Sequence, residues 1–301
     1  MEILQEQKNG NVSAVLIAGP TASGKSALAL EIARELGGEI VNADSMQVYG
    51  VLDRLTARPG AEDLDRVPHH LYGHVPPGSP YSTGIWLDQA SEAIAGIRAR
   101  GAVPVVVGGT GLYFRALTGG LSDMPAIPDP IRQELRARLE TEGVEALHAE
   151  LARLDPAMAE RLRPADRQRI LRALEVVRAT GRSITEFQGR GGAAIVDPQS
   201  ARCIVLDPDR PVLHARINTR FGRMVEEGAL DEVRALLALK VPPLHPAMKA
   251  IGVRQLADYL AGQLSLDQAI ERSSAATRQY AKRQMTWFRN QMGDEWQRVQ
   301  S

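Results

Sequence analysis

Gly19, Pro20, Thr21, Ala22, Ser23, Gly24, Lys25 and Ser26 fill every fixed position of the pattern G-x-x-x-x-G-K-S/T. That spacing suits one kind of chemistry. A glycine-rich loop turns its backbone N–H groups toward a chain of phosphates, the lysine reaches the outer phosphates, and the last hydroxyl can hold Mg2+. The flanks fit the task. Residues 14–18 read as a short buried strand, and residues 27–34 as the first turns of a helix whose positive end would face the anion. The motif names the class of ligand and leaves open what is done to it.

Two more polar clusters follow apparent strands. Asp44, Ser45, Met46 and Gln47 come directly after a strand at 39–43. A carboxylate there could act as general base or as an indirect Mg2+ ligand, and it could equally be a helix N-cap. Gly108, Gly109, Thr110 and Gly111 end a strand at 103–107. The glycines would allow a ligand to approach the backbone, with Thr110 offering a hydroxyl; the alternative is a tight strand-to-helix turn capped by Thr110. An ATPase of this type usually ends such a strand in Asp, and this one ends in glycine. His69 and His70 are adjacent and lack partners at metal spacing, which favours a hydrogen-bonded structural role or a substrate contact.

The elements that must position these groups alternate strand and helix through the first 115 residues or so. The fold class is therefore α/β: a P-loop NTPase-like parallel sheet with covering helices, whose ligands bind at the C-terminal strand ends. The loops at 19–26, 44–49 and 108–113 should then converge on one site. The turn-rich stretch 122–130 marks a boundary, and helices are expected at 130–142, 144–154, 156–162 and 166–180. We expect a catalytic core of residues 1–121 and 199–301 and an all-helical insertion at 122–198. Residues 189–192 read as a loop, 201–206 as a returning strand, and 211–291 as mostly helical with a proline interruption at 242–246.

Composition narrows the class. The chain has 301 residues, 44% apolar and 24% charged, with zero net charge. No apolar run is long enough to span a bilayer, and residues 1–12 lack an apolar signal core. The single Cys203, in an apparent strand, reads as a small core residue in a reducing cytoplasm, so a cytoplasmic location is expected. Net neutrality hides two basic stretches. One contains Arg161, Arg163, Arg167, Arg169, Arg172, Arg178 and Arg182 against Asp166 and Glu175. The other, 277–289, interleaves Arg278, Lys282, Arg283 and Arg289 with Tyr280, Trp287 and Phe288. Such mixtures suit RNA phosphates and stacked bases; the alternatives are solvated helix faces and, for the aromatics, core packing.

Taken together, GPTASGKS (19–26), DSMQVY (44–49), PHHL (68–71), GGTGLYFRAL (108–117), DRQRILRALEV (166–176) and TRQYAKRQMTWFR (277–289) resemble the tRNA dimethylallyltransferase, or isopentenyltransferase, family, in family order over about 270 residues. The resemblance implies transfer of a dimethylallyl group from dimethylallyl diphosphate to N6 of adenosine 37 in tRNA. It implies that Gly19 to Ser26 hold the diphosphate, with Mg2+ through Ser26. Asp44 matches the general base, Thr110 a hydroxyl near the reacting centre, and Arg220 an arginine on the diphosphate. It also implies tRNA contacts at Asp44, Ser45, Met46, Gln47, Thr110, Arg132, Gln168, Arg169, Ile170, Leu171, Arg172, Lys249, Arg254, Lys282, Arg283, Trp287 and Arg289. The helical insertion would clamp the anticodon stem-loop, and the enzyme is expected to act as a monomer.

Two departures stand out. Where many members carry G-T-A-K-P, this chain has Leu55-Thr-Ala-Arg-Pro59, and the stretch Met248–Arg254 is looser than the usual form. Two other classes fit the chain less fully. A P-loop metabolite kinase would leave both basic stretches idle, and a non-catalytic RNA-binding regulator would leave the phosphate loop unexplained.

Overall fold

A computed structural model describes residues 12–188, 192–243 and 245–301. The first three positions of the expected 189–192 loop, and Leu244 within the proline interruption, lie outside the described residues. The chain forms two compact units: Gly119–Ala193 is one, and the chain on either side of it is the other.

The flanking unit is built on a six-stranded sheet in the order β3-β2-β4-β1-β5-β6, with every pairing parallel. The strands are β1 Val15–Ala18, β2 Glu39–Asn42, β3 His69–His70, β4 Pro104–Gly108, β5 Arg202–Leu206 and β6 Trp296–Val299. β1 and β4 are buried along their whole length, as expected for apolar, β-branched runs in a sheet covered on both faces.

Alternation along each strand sorts the core in two. Val15, Ile17, Val105 and Val107 pack with Ala29, Ile32 and Ala33 of the helix Lys25–Leu36. Leu16, Ala18, Val106 and Val205 pack with Trp86, Ala90, Ile94 and Ile97 of the helix Thr83–Ala99. Cys203 lies in the second cluster, where burial raises its thiol to about 12, so it is the inert core residue expected.

β6 was not foreseen. Only four residues long, it carries Gln297 and Arg298 and shows no apolar run, yet Trp296 is buried and packs edge-on against Phe114. His70 also finds its explanation here. Its Nε2 lies 2.7 Å from Glu39, which Arg100 also holds, and the Arg100 hydrogen bonds pull Glu39 down to about 2. His69 is likewise held, its Nδ1 lying 2.7 Å from Val67 O, so both histidines are hydrogen-bonded in place.

After β5 come the helices Arg210–Met224 and Leu230–Ala238, broken at Gly228 by a φ of 110°, then Val253–Leu260 and Leu266–Gln291. The last begins with a capping box between Ser265 and Gln268.

The unit Gly119–Ala193 contains five helices and no strand among its described residues: Asp129–Thr141, Gly143–Leu154, Pro156–Arg161, Arg167–Thr180 and Ile184–Gln188. They close over Leu135, Leu147, Leu151, Ile170 and Leu174. No helix among the described residues is long and apolar enough to cross a membrane.

Candidate active site

Strand register builds the site. Ala18 of β1 pairs with Gly108 of β4, and Asn42 of β2 pairs with Val107. The three central strands therefore end level, and the loops after them leave side by side. Backbone bonds stitch them together: Gly19 N to Gly108 O at 3.3 Å, Ala43 N to Val107 O at 2.7 Å, and Thr110 N to Ala43 O at 3.1 Å.

The phosphate loop has the form its sequence demands. Ala22 and Gly24 adopt left-handed φ values of 64° and 87°. The helix Lys25–Leu36 has no side-chain cap and no acidic residue in its first turn, which leaves its opening N–H groups for an anion. Lys25 folds back over the loop, donating to Pro20 O at 3.3 Å. Burial lowers its pKa to about 8; the charge of Asp44 pulls it up and that of Arg220 pushes it further down. Arg220 arrives from the helix Arg210–Met224 and donates to the Thr21 hydroxyl. Its pKa too is lowered by burial, against the opposing pull of Asp44. The N–H groups of Gly19, Thr21 and Ser23 are taken by Gly108 O, Gln284 Oε1 and Pro20 O, which leaves those at the start of the helix, beside two crowded cations, as the groups that could meet an anion.

Ser26 is exposed in the helix's first turn. No group of His, Cys, Asp and Glu side chains that could hold a metal occurs among the described residues. A lone hydroxyl beside an anion site fits Mg2+, which takes one or two protein ligands and completes its shell with phosphate oxygens and water.

Asp44 is placed by Asn42, a residue the sequence reading passed over. The buried Asn42 accepts from Asp44 N at 2.8 Å and donates to the carbonyls of Asp44 and Leu71, both at 3.0 Å. Asp44 Oδ1 accepts from Met46 N at 2.9 Å within a turn, and no helix starts there, so the N-cap alternative falls away. Thr110 caps nothing with its hydroxyl either. It accepts from Ser45 N at 2.9 Å and donates to Ser45 Oγ at 3.3 Å, binding the third loop to the second.

Of the two readings open for the glycines of the third loop, the tight strand-to-helix turn is the one seen, between β4 and a helix starting at Gly111, and the space beside the glycines is filled with protein. A Cβ on Gly108 would collide with the backbone of Ala43, one on Gly109 with the amide of Gln284, and one on Gly111 with the ring of Trp287. At Gly109 the same Cβ would also lie 3.4 Å from Asp44 Oδ2. Gln284 had no assigned role from sequence; only its place in an otherwise basic and aromatic stretch could have flagged it.

The residues carried over as tRNA contacts divide. Lys249, Arg254, Lys282, Arg283 and Arg289 are exposed and lack a carboxylate partner among the described residues. Arg283 lies 5.7 Å over the ring of Tyr280, and Trp287 is half-buried edge-on to the buried Phe288. Gln47 spends its amide N–H groups on the carbonyls of Thr56 and Ala57, both at 2.9 Å. This anchors the departing 55–59 segment, in which Arg58 pairs with Asp53.

In the other unit Gln168 and Arg169 are exposed, Arg169 lies 3.6 Å from Asp166, and Leu171 is half-buried. Arg132 lies 3.8 Å from Asp129, and Arg172 is held by Glu175 at 3.2 Å. Ile170 is wholly buried in the unit's core, so its side chain has no surface to offer RNA. Its helical spacing already allowed that packing.

Comparison with known proteins covers nearly the whole chain. A model of the family described as IPP transferase matches residues 47–291, and one described as isopentenyl transferase matches residues 12–71. The chain is 61% identical over 290 residues to a tRNA dimethylallyltransferase of Agrobacterium fabrum, covering 96% of this chain and 97% of that one. It is 62% identical over 288 residues to one of Rhizobium leguminosarum bv. trifolii, with 96% and 97% covered. Among solved structures, it resembles a tRNA isopentenylpyrophosphate transferase of Bacillus halodurans at 37% identity and a TM-score of 0.67, covering 96% of this chain and 89% of that one. It also resembles a eukaryotic dimethylallyltransferase captured acting on tRNA, at 27% identity and a TM-score of 0.78, with 95% and 73% covered.

Proposed function

Because the chain belongs to the IPP transferase family, we infer that the corner at its strand ends transfers a dimethylallyl group from dimethylallyl diphosphate to an adenosine of tRNA. The finer reading places the new bond on N6 of the adenine next to the anticodon.

The chemistry assigns work to each group. An adenine amine is a poor nucleophile because its lone pair is delocalised into the ring, and it must lose a proton as the C–N bond forms. Asp44, held by Asn42 and by Met46 N, accepts that proton. The allylic C–O bond breaks with its electron pair going to the diphosphate. The N–H groups of Gly24, Lys25 and Ser26 at the helix start, with the Lys25 and Arg220 side chains, stabilise the charge that gathers there. Mg2+ held by Ser26 would add Lewis-acid stabilisation to the leaving diphosphate. Thr110 keeps the Asp44 loop in register with β4. The exposed basic residues at 249, 254, 282, 283 and 289, with Arg169 on the insertion, hold tRNA phosphates. The target base leaves the loop stack at a cost of about a few kcal/mol.

The observation that carries the reading is that Asp44 sits on a loop bonded beside the phosphate loop, where its charge bears on both cations of the anion site. A kinase reading has no comparable use for the basic C-terminal helix. The test incubates the protein with bulk tRNA and Mg2+ and either labelled dimethylallyl diphosphate or labelled ATP. Prenylated adenosine without added nucleotide is expected; a phosphorylated product with no prenylated adenosine overturns the reading.

A further inference from the structure

We propose that Gln284 is a positioning residue that sets the spacing between the diphosphate loop and the loop carrying the proton acceptor. The proposal rests on the reading of the strand-end corner given above.

The side chain of Gln284 is only 5% exposed. Its Oε1 accepts from Thr21 N at 3.0 Å, and its Nε2 donates to Gly109 O at 2.8 Å. A primary amide is the side chain that offers a donor and an acceptor at one end. Glutamate would place a carboxylate against the Gly109 carbonyl, leucine would leave two backbone groups unpaired, and asparagine is one methylene shorter.

Each end of the bridge leads into the site. Thr21 also receives Arg220 on its hydroxyl, so the early part of the diphosphate loop is gripped from two helices. Gly109 is followed by Thr110, whose N–H bonds Ala43 O and whose hydroxyl receives Ser45 N. One amide thus links the donor loop, through two residues, to the backbone on both sides of Asp44. Gly109 is required for this contact, since any side chain there would displace the amide. One turn along the same helix, Trp287 lies against Gly111 in the same way. The inner face of Leu266–Gln291 therefore braces the corner, while Lys282, Arg283 and Arg289 face solvent.

Reaction between two bound partners is steep in their separation, so loosening this brace should cost both donor binding and the chemical step. The tests are Gln284→Leu and, as a polar variant that keeps one acceptor, Gln284→Glu. Calorimetry with inorganic diphosphate and Mg2+ gives donor-site affinity independently of any prenyl transfer. Single-turnover rates at saturating tRNA and dimethylallyl diphosphate give the chemical step. Circular dichroism at the assay temperature selects whichever variant is folded.

Diphosphate affinity should fall about tenfold in Gln284→Leu, and the single-turnover rate by at least as much. The affinity for tRNA should stay within about twofold in both variants. Unchanged diphosphate affinity and single-turnover rate in a folded variant overturn the proposal, as does a loss confined to tRNA affinity. A wild-type protein that binds diphosphate but prenylates nothing defeats the functional reading, and the calorimetric comparison still decides the role of Gln284.

Discussion

At the strand ends, charge is gathered and left for a ligand; along the helix Arg167–Thr180, much of it is neutralised on the spot. Lys25 and Arg220 share one carboxylate between them, and burial lowers the pKa of both. Around the insertion helix, Arg172 has Glu175, Arg178 has both oxygens of Glu134, and Arg182 on the following turn has Glu186. Arg163, Arg167 and Arg169 remain exposed. Two buried cations with one carboxylate between them are costly in the empty protein, and they persist where a ligand offsets the cost. A run of arginines can instead be ordinary surface ion pairing, worth little either way.

This contrast can be broken by substitution. In the corner, Lys25→Met should lower transfer by roughly 100- to 1,000-fold through lost stabilisation of the leaving group, with tRNA affinity unchanged. Steady-state kinetics and filter binding check the two halves. A loss under about fivefold would mean that the corner is not where charge develops.

The same lysine sets a pH limit. Its pKa is lowered to about 8, so its ammonium, proposed to bind diphosphate, is present below that pH and is lost as pH rises through it. Donor affinity in the free enzyme should fall, approaching about tenfold per pH unit above pH 8. Titration of diphosphate binding from pH 7 to 9.5 shows this, and a flat profile would place the lysine's pKa well above that range.

Smaller effects are expected at the exposed arginines proposed to meet RNA. Arg283→Ala and Arg169→Ala should each weaken tRNA binding several-fold and make the log–log salt slope shallower by about 0.7, the value for one single-strand phosphate contact. Diphosphate binding should not change. Unaltered slopes in both would reduce these stretches to solvated faces.

Arg178→Ala should do the reverse. With its two hydrogen bonds to Glu134 gone, stability should fall only slightly, lowering the melting temperature by no more than roughly 2–4 °C, at unchanged salt slope. A shallower slope here would move Arg178 into the RNA-facing set.

What could be read in advance follows from how each feature is encoded. The phosphate loop and the strand ends were legible because fixed glycine spacing and β-branched runs dictate backbone geometry locally. The two-residue β3 and the strand Trp296–Val299 were not, since pairing partners far away in the chain make them strands. Asn42 and Gln284 escaped for a related reason. Gln284 bonds backbone atoms 263 and 175 residues away, and Asn42 adds to its local bonds with Asp44 a distant one to Leu71 O; a lone amide does not announce such partners. The glycines at 108, 109 and 111 were visible, but their neighbours were not. Ion pairing within the insertion was equally hidden, because Glu134 is 44 residues from Arg178.

The central claim is that Asp44 takes the proton released by the adenine amine. Rapid-quench single turnover of Asp44→Asn, with saturating tRNA and labelled dimethylallyl diphosphate, tests it most directly. Asn keeps the acceptor for Met46 N and the loop's shape, and removes only the basic carboxylate. The expected rate is about 100-fold or more below wild type, with tRNA affinity within a few-fold. A near-normal single-turnover rate would contradict it, leaving Asp44 a turn-forming residue and the proton acceptor elsewhere.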